Sequence, residues 1–217
     1  MTIVALAPMD LAALLCSRVC HDVISPVGAI VNGLEVLDDE KDPQTRNAAI
    51  ELIKKSAAAA SARLQFCRLA FGAAGSLGAT VDTGDAEAVA RNLVANERTA
   101  LAWRAGRQYA AKNKVKLLLN LVLIAASAIP RGGVVAVDLS GQDETLAMRV
   151  EAKGPNAKLA AGVADLIAGR PESGAVDAHT IQPFFAGLVA RDCGMEVAIA
   201  SGPETVTLEA RPTGGAA

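Results

Sequence analysis

Two imidazoles, His21 and His179, are the only ones in the chain. His21 is followed by Asp22 and preceded, three residues earlier, by Arg18. A neutral imidazole is a nucleophile near physiological pH, which suits it to phosphoryl relay. That chemistry needs little covalent machinery, because positioning and charge stabilisation dominate it. Asp22 could orient the ring or take its proton as attack proceeds. Arg18 could offset phosphate charge. Steps of three and four from His21 collect Arg18, Ser25, Gly28, Asn32 and Glu35, a helical face that is polar or small throughout. Two residues of this helix are poor helix formers. Glycine costs roughly 1 kcal/mol relative to alanine in a helix interior, and proline about 3 kcal/mol. Gly28 and Pro26 beside a histidine therefore invite a functional explanation: a kink after His21 would tilt the imidazole outward, and Gly28 would let a partner approach the backbone closely. From spacing alone, a lone histidine on a helix also reads as a solvated residue. His179, in the stretch SGAVDAHT, reads as a surface or capping residue in a loop.

The elements that must position His21 are two long helices. From Met9 to about Leu37, the residues Val19, Val23, Val27, Ile30, Leu34 and Leu37 form one apolar stripe, opposite the polar face. Leu11 and Leu15 extend it backwards. The acidic run from Asp38 breaks the pattern, and Asp42 before Pro43 reads as an N-cap with proline at the first helical position. A second stripe follows through Ile50, Ile53, Ala57, Ala60, Leu64, Cys67 and Phe71. The short loop makes the pair an antiparallel hairpin. A hairpin cannot enclose a core alone. Either a second copy completes a four-helix bundle across a two-fold axis, or the rest of the chain covers it. Residues 1–73 form this hairpin domain. The glycine-rich run from Phe71 to Gly78 reads as a linker.

Residues 80–217 read as an α/β layered domain with a mixed sheet, so the fold class is α+β. Helices are expected over Asp85–Leu101, with Asp85 as N-cap, and over Lys112–Ile129, Ala157–Ala168 and Thr180–Cys193. Strands are expected over Val134–Leu139 and Leu146–Glu151, and a closing hairpin over Met195–Ala200 and Thr205–Ala210.

Composition narrows the function classes. Apolar residues make up 52% of the 217, charged residues 20%, and the formal net charge is −2. That is a globular chain with no basic footprint for nucleic acid. The opening residues lack the basic region of a secretory signal. The apolar stretch Val115–Pro130, interrupted by Lys116, Asn120 and Ser127, is short of the roughly 20 residues a membrane span needs. A soluble, cytoplasmic protein is expected, without a membrane partner. The four cysteines, Cys16, Cys20, Cys67 and Cys193, form no CxxC pair and read as reduced, buried thiols. A metal site of Cys16, Cys20 and His21 is disfavoured, because His21 points about 100° away from Cys20 on a helix.

The segment Cys20-His21-Asp22-Val23-Ile24-Ser25-Pro26-Val27-Gly28-Ala29-Ile30 resembles the phosphoacceptor box of sensor histidine kinases. There, a histidine, an acidic residue, a hydroxyl residue and a proline open a dimerising helical hairpin. The second half resembles the ATP-binding domain of the same kinases in a stripped form. Along Asn120–Gly133, the asparagine that would hold magnesium falls on Ile124, and a later polar position falls on Ser127. In Val150–Asn156 the adenine-reading aspartate falls on Ala152. The glycine-rich lid motif is replaced by Thr180-Ile181-Gln182-Pro183-Phe184-Phe185-Ala186-Gly187-Leu188. Loss of all three features argues against nucleotide binding.

An intact acceptor box joined to a degenerate ATP-binding-like domain resembles the ChpT type of bacterial histidine phosphotransferase, nearly over the full length. The resemblance implies phosphorylation at His21 with help from Asp22. It implies a homodimer with a four-helix bundle, passing phosphoryl groups from the receiver domain of a hybrid sensor kinase to response regulators of the bacterial cell cycle. Receivers would dock against Arg18, Ser25, Gly28, Asn32 and Glu35, with Lys153 and Lys158 as contacts on the second domain. No cofactor is implied, since magnesium would come with the receiver. The competing readings are a divergent kinase that still uses ATP and a non-catalytic module that binds response regulators.

Overall fold

The computed structural model describes residues 3–72 and 80–214. Most of the expected linker, Ala73 to Gly78, lies outside the described residues. The chain opens with two long helices, α1 (Pro8–Asp39) and α2 (Pro43–Ala70), packed as a hairpin. The turn between them is built as its residue types dictate. Asp42 caps α2 by accepting the Thr45 N–H at 2.8 Å, with Pro43 at the first helical position. The Arg46 guanidinium closes the end of α1 by donating to the carbonyls of Leu37 and Glu40.

α1 runs unbroken through Pro26. Proline has no N–H, so the Asp22 carbonyl loses its helical donor one turn earlier. Pro26 and Gly33, two turns apart on one side of the helix, are the two buried residues of α1, and Gly33 faces α2. A Cβ on Gly33 would sit 2.7 Å from the Ile53 side chain, so this glycine sets how closely the helices approach. The apolar stripe is split by this packing. Val19, Val23, Ile30 and Leu37 lie half-buried toward α2, whereas Val27 and Leu34 are exposed in the single chain. They continue into a second apolar line with Cys20, Ile24 and Val31 on α1, beside Ile50 and Leu64 on α2. By length and a mean hydropathy of 1.4, α1 matches a membrane-spanning helix. Yet it carries Arg18, His21 and Asp22 near its middle and packs on α2.

The second domain follows. β1 (Thr80–Asp82) pairs with β3 (Tyr109–Ala111) in a small antiparallel sheet. The main sheet contains β2 (Thr99–Trp103), β4 (Gly133–Ser140), β5 (Ala147–Lys153), β6 (Met195–Gly202) and β7 (Thr205–Pro212), in the order β2-β4-β5-β7-β6. The β2–β4 pair is parallel and the others antiparallel, so the sheet is mixed as expected. Helices α3 (Thr83–Val94), α4 (Lys112–Ser127), α5 (Val163–Ile167) and α6 (Ile181–Asp192) complete the domain. Alternate residues of the central strands, Met148, Val150 and Ala152 on β5 and Val206, Leu208 and Ala210 on β7, are buried in one core with α4. The other face carries an ion-pair ladder of Arg149, Glu151, Glu209 and Arg211.

Three expectations need correction. The helix placed over Asp85–Leu101 spans only Thr83–Val94, with Asp82 as its cap, and residues 99–103 form β2 instead. The break comes from Asn96, whose side-chain oxygen accepts the N–H groups of Arg98 and Thr99 and turns the chain. The helix placed over Ala157–Ala168 shrinks to Val163–Ile167, because Gly162 takes a left-handed conformation at φ 78°. Of the thiols, only Cys67 is buried; Cys16 and Cys20 are exposed and Cys193 is half-buried.

The two domains pack on each other. Leu11, Leu14 and Leu15 of α1 meet Ile181, Phe184 and Leu166. Phe66 and Ala70 of α2 enter the main core. Between them lies a buried amide relay: Asn120 donates to the Ala70 carbonyl at 3.0 Å, and Gln182 donates to Asn120 Oδ1 at 3.0 Å.

Candidate functional site

His21 lies on α1 with its side chain 66% exposed. Its Nδ1 is 3.6 Å from Asp22 Oδ1. The other carboxylate oxygen, Oδ2, accepts from Arg18 Nε at 2.9 Å. Arg18 and Asp22 are one helical turn apart, the spacing that brings opposite charges together. The guanidinium therefore braces the carboxylate, and the carboxylate in turn faces one edge of the imidazole. A carboxylate on the Nδ1 side of the ring is placed to stabilise a proton there, and Nε2 would then be the nitrogen able to attack.

Ser25, Gly28, Asn32 and Glu35 continue from His21 along α1, all exposed. No atom lies within 4 Å of the position a Gly28 Cβ would take, so this face is open at the backbone. Lys153 ends β5 and Lys158 lies in the loop after it; both are exposed, and no hydrogen bond or ion pair among the described residues joins them to the His21 cluster.

Two neighbours escaped the sequence reading. His179, expected as a surface or capping residue, is exposed, but it sits against His21 with ring centroids 5.5 Å apart and planes at 82°. The local turn before α6 is made by Asp177, whose carboxylate accepts from the His179 and Thr180 N–H groups and from the Thr180 hydroxyl. These bonds, those from Thr180 foremost, hold the Asp177 carboxyl below the usual aspartate range. Arg63 of α2 shares a cleft of about 360 Å³ with Arg18, Asp22, Cys67 and Leu123, at the junction of the two domains. Neither neighbour has a spacing signature, because each arrives from another element.

Two of the thiols are held in their neutral form. Burial pushes the Cys67 and Cys193 thiols up to about 11, away from the thiolate range. Among the described residues, no group of three His, Cys, Asp or Glu side chains is placed to hold a metal. Ile124, Ala152 and Phe184, which the sequence resemblance sets in the region of the kinase nucleotide motifs, are each at most 2% exposed.

Comparison with known proteins agrees with this geometry. Residues 83–205 match the family model of the histidine phosphotransferase C-terminal domain. A protein phosphotransferase ChpT from Brucella abortus (strain 2308) is 46% identical over 207 residues, covering 95% of this chain and 98% of the relative. A solved structure of a bacterial phosphotransferase superposes with a TM-score of 0.88 at 44% identity, covering 97% of this chain and all of the other. Likeness of that extent takes in the hairpin and the sheet domain together. The chain accordingly belongs to the histidine phosphotransferases, and its activity is phosphotransfer in a phosphorelay.

Proposed function

We propose that His21 is the phosphoacceptor. It receives a phosphoryl group from the receiver domain of a hybrid sensor kinase and passes it to response regulators that govern the bacterial cell cycle. One observation carries this reading: an open imidazole whose Nδ1 faces a carboxylate that is itself braced by a guanidinium. In the forward step, the Nε2 lone pair attacks phosphorus. The N–P bond forms as the P–O bond to the receiver aspartate breaks, and that carboxylate leaves with the electron pair. The ring gains positive charge and keeps its Nδ1 proton, and Asp22 stabilises that charge at close range. Return transfer to a second receiver runs the same steps backwards.

The receiver docks along Arg18, Ser25, Gly28, Asn32 and Glu35, with Lys153 and Lys158 as further contacts, and brings the magnesium ion that phosphoryl transfer needs. The enzyme itself takes no nucleotide, a reading supported by the packed side chains of Ile124, Ala152 and Phe184. It works in the cytoplasm as a homodimer, the exposed line of Ile24, Val27, Val31 and Leu34 forming the seam with a second copy.

A labelled-phosphate assay tests this. Wild type and His21→Ala are incubated with labelled ATP alone, and with a receiver phosphorylated by its hybrid kinase. Acid-labile label is expected on the wild type only, and only with the phosphorylated receiver. Label from ATP alone would make the protein a kinase. Label on His21→Ala would place the acceptor elsewhere, and no label with receiver bound would leave a non-catalytic binding module.

A further inference from the structure

The contact between His21 and His179 joins the two domains at the reacting residue itself. The centroid separation of 5.5 Å and interplanar angle of 82° are those of an edge-to-face pair. His179 is held there by construction. Its own N–H donates to Asp177 at 2.9 Å, in the turn that starts α6. Two residues later, Ile181 packs against the first turns of α1. Gln182 then ties α6 through Asn120 to the Ala70 carbonyl of α2. The loop that carries His179 is thus fixed to both helices of the hairpin.

The acceptor ring needs such a restraint. A histidine 66% exposed on a helix has several rotamers open to it, and transfer requires the one that aims Nε2 at phosphorus. Asp22 meets the ring at a single nitrogen, 3.6 Å away, which leaves the ring free to swing about that point. A second contact from a different element removes that freedom. His21 also keeps most of its surface open, so His179 steadies the ring without sealing it from a receiver.

We propose that His179 is a positioning residue for phosphoryl transfer, packing its ring against His21 so that the acceptor orientation is set by both domains. The second domain then has a part in transfer that does not depend on nucleotide. The inference rests on His21 being the acceptor, and the test separates the two.

Transfer from a phosphorylated receiver is measured in the purified 217-residue chain, for wild type, His21→Ala, His179→Ala and His179→Phe. His179→Ala is expected to lower kcat on the order of tenfold, with KM for the receiver little changed. His179→Phe keeps an aromatic edge against His21 and is expected to recover most of the rate. In proton NMR spectra without any receiver, the His21 ring resonances, assigned by their loss in His21→Ala, should move in His179→Ala. Wild-type transfer by His179→Ala, a loss confined to KM, a phenylalanine variant as slow as alanine, or unmoved His21 resonances would each overturn the positioning role while leaving the acceptor in place. Label retained by His21→Ala would instead overturn the acceptor reading and this one with it.

Discussion

Gly28 is the residue at which helix stability and partner recognition can be separated. It is exposed in the interior of α1, and a Cβ there meets no atom within 4 Å. Gly28→Ala should therefore raise stability by up to about 1 kcal/mol, read by urea denaturation, and leave receiver binding close to wild type. Gly28→Leu should also fold, since its side chain points into open space. It should, however, weaken receiver binding at least about tenfold, or 1.4 kcal/mol, in a titration. Unaltered affinity for the leucine variant would place the docking contact off this face. At this scale the sequence is informative where one helix supplies everything. His21, Asp22 and Arg18 lie within five residues of one helix, so spacing picks out all three, although Arg18, expected to offset phosphate charge, bonds Asp22 at 2.9 Å. His179 and Arg63 were illegible for the complementary reason: each reaches the site from another element, and no periodicity links them to His21.

At the level of elements, Asn120 holds the two domains together. It is fully buried, donates to the Lys116 and Ala70 carbonyls, and accepts from Gln182. Asn120→Leu leaves the Ala70 carbonyl without its side-chain donor and takes one of two acceptors from the Gln182 amide, which keeps the main-chain carbonyl of residue 120. The expected loss is about 1–3 kcal/mol in chemical denaturation, from the buried Ala70 carbonyl left without its partner. A loss below about 0.5 kcal/mol would mean the relay does not tie the domains. The same position shows how far motif reading reaches. Asn120 begins the stretch that resembles the kinase asparagine box, yet here its side chain serves packing between helices. Element boundaries were legible where strong local signals stood, such as Asp42-Pro43 before α2. They failed where the signal was a single side chain: Asn96 turns the chain into β2 without glycine or proline, and the left-handed Gly162 interrupts an alanine-rich run that reads as helix. β1 and β3, at three residues each, are too short for any pattern to register.

For the whole molecule, the decisive question is what covers the hairpin. The second domain takes the first turns of α1 and the last turns of α2. It leaves Ile24 at 69%, Val31 at 48% and Leu64 at 51% exposure, in line with Val27, Leu34 and Ile50. On α1 the line recurs at steps of three and four, and on α2 Ile50, Ala57 and Leu64 recur every seven residues, a spacing that suits helix-on-helix packing. A seam of this kind on both helices of one hairpin is self-complementary about a two-fold axis, which is what a four-helix bundle requires. The polar face bearing His21 is turned away from the seam by roughly a quarter-turn of helix. Each protomer of such a dimer would thus present its acceptor to a separate receiver. Val31→Glu places a charge in the middle of that seam and touches no residue of the His21 cluster. Light scattering should give the wild type about twice the monomer mass and the variant a single-chain mass, with helical circular dichroism largely retained. Burying two unpaired carboxylates across the axis costs several kcal/mol, enough to separate the copies at micromolar concentration. A wild type that is monomeric at that concentration would sink the bundle. It would leave α1 and α2 with an apolar face that only a docked receiver could cover.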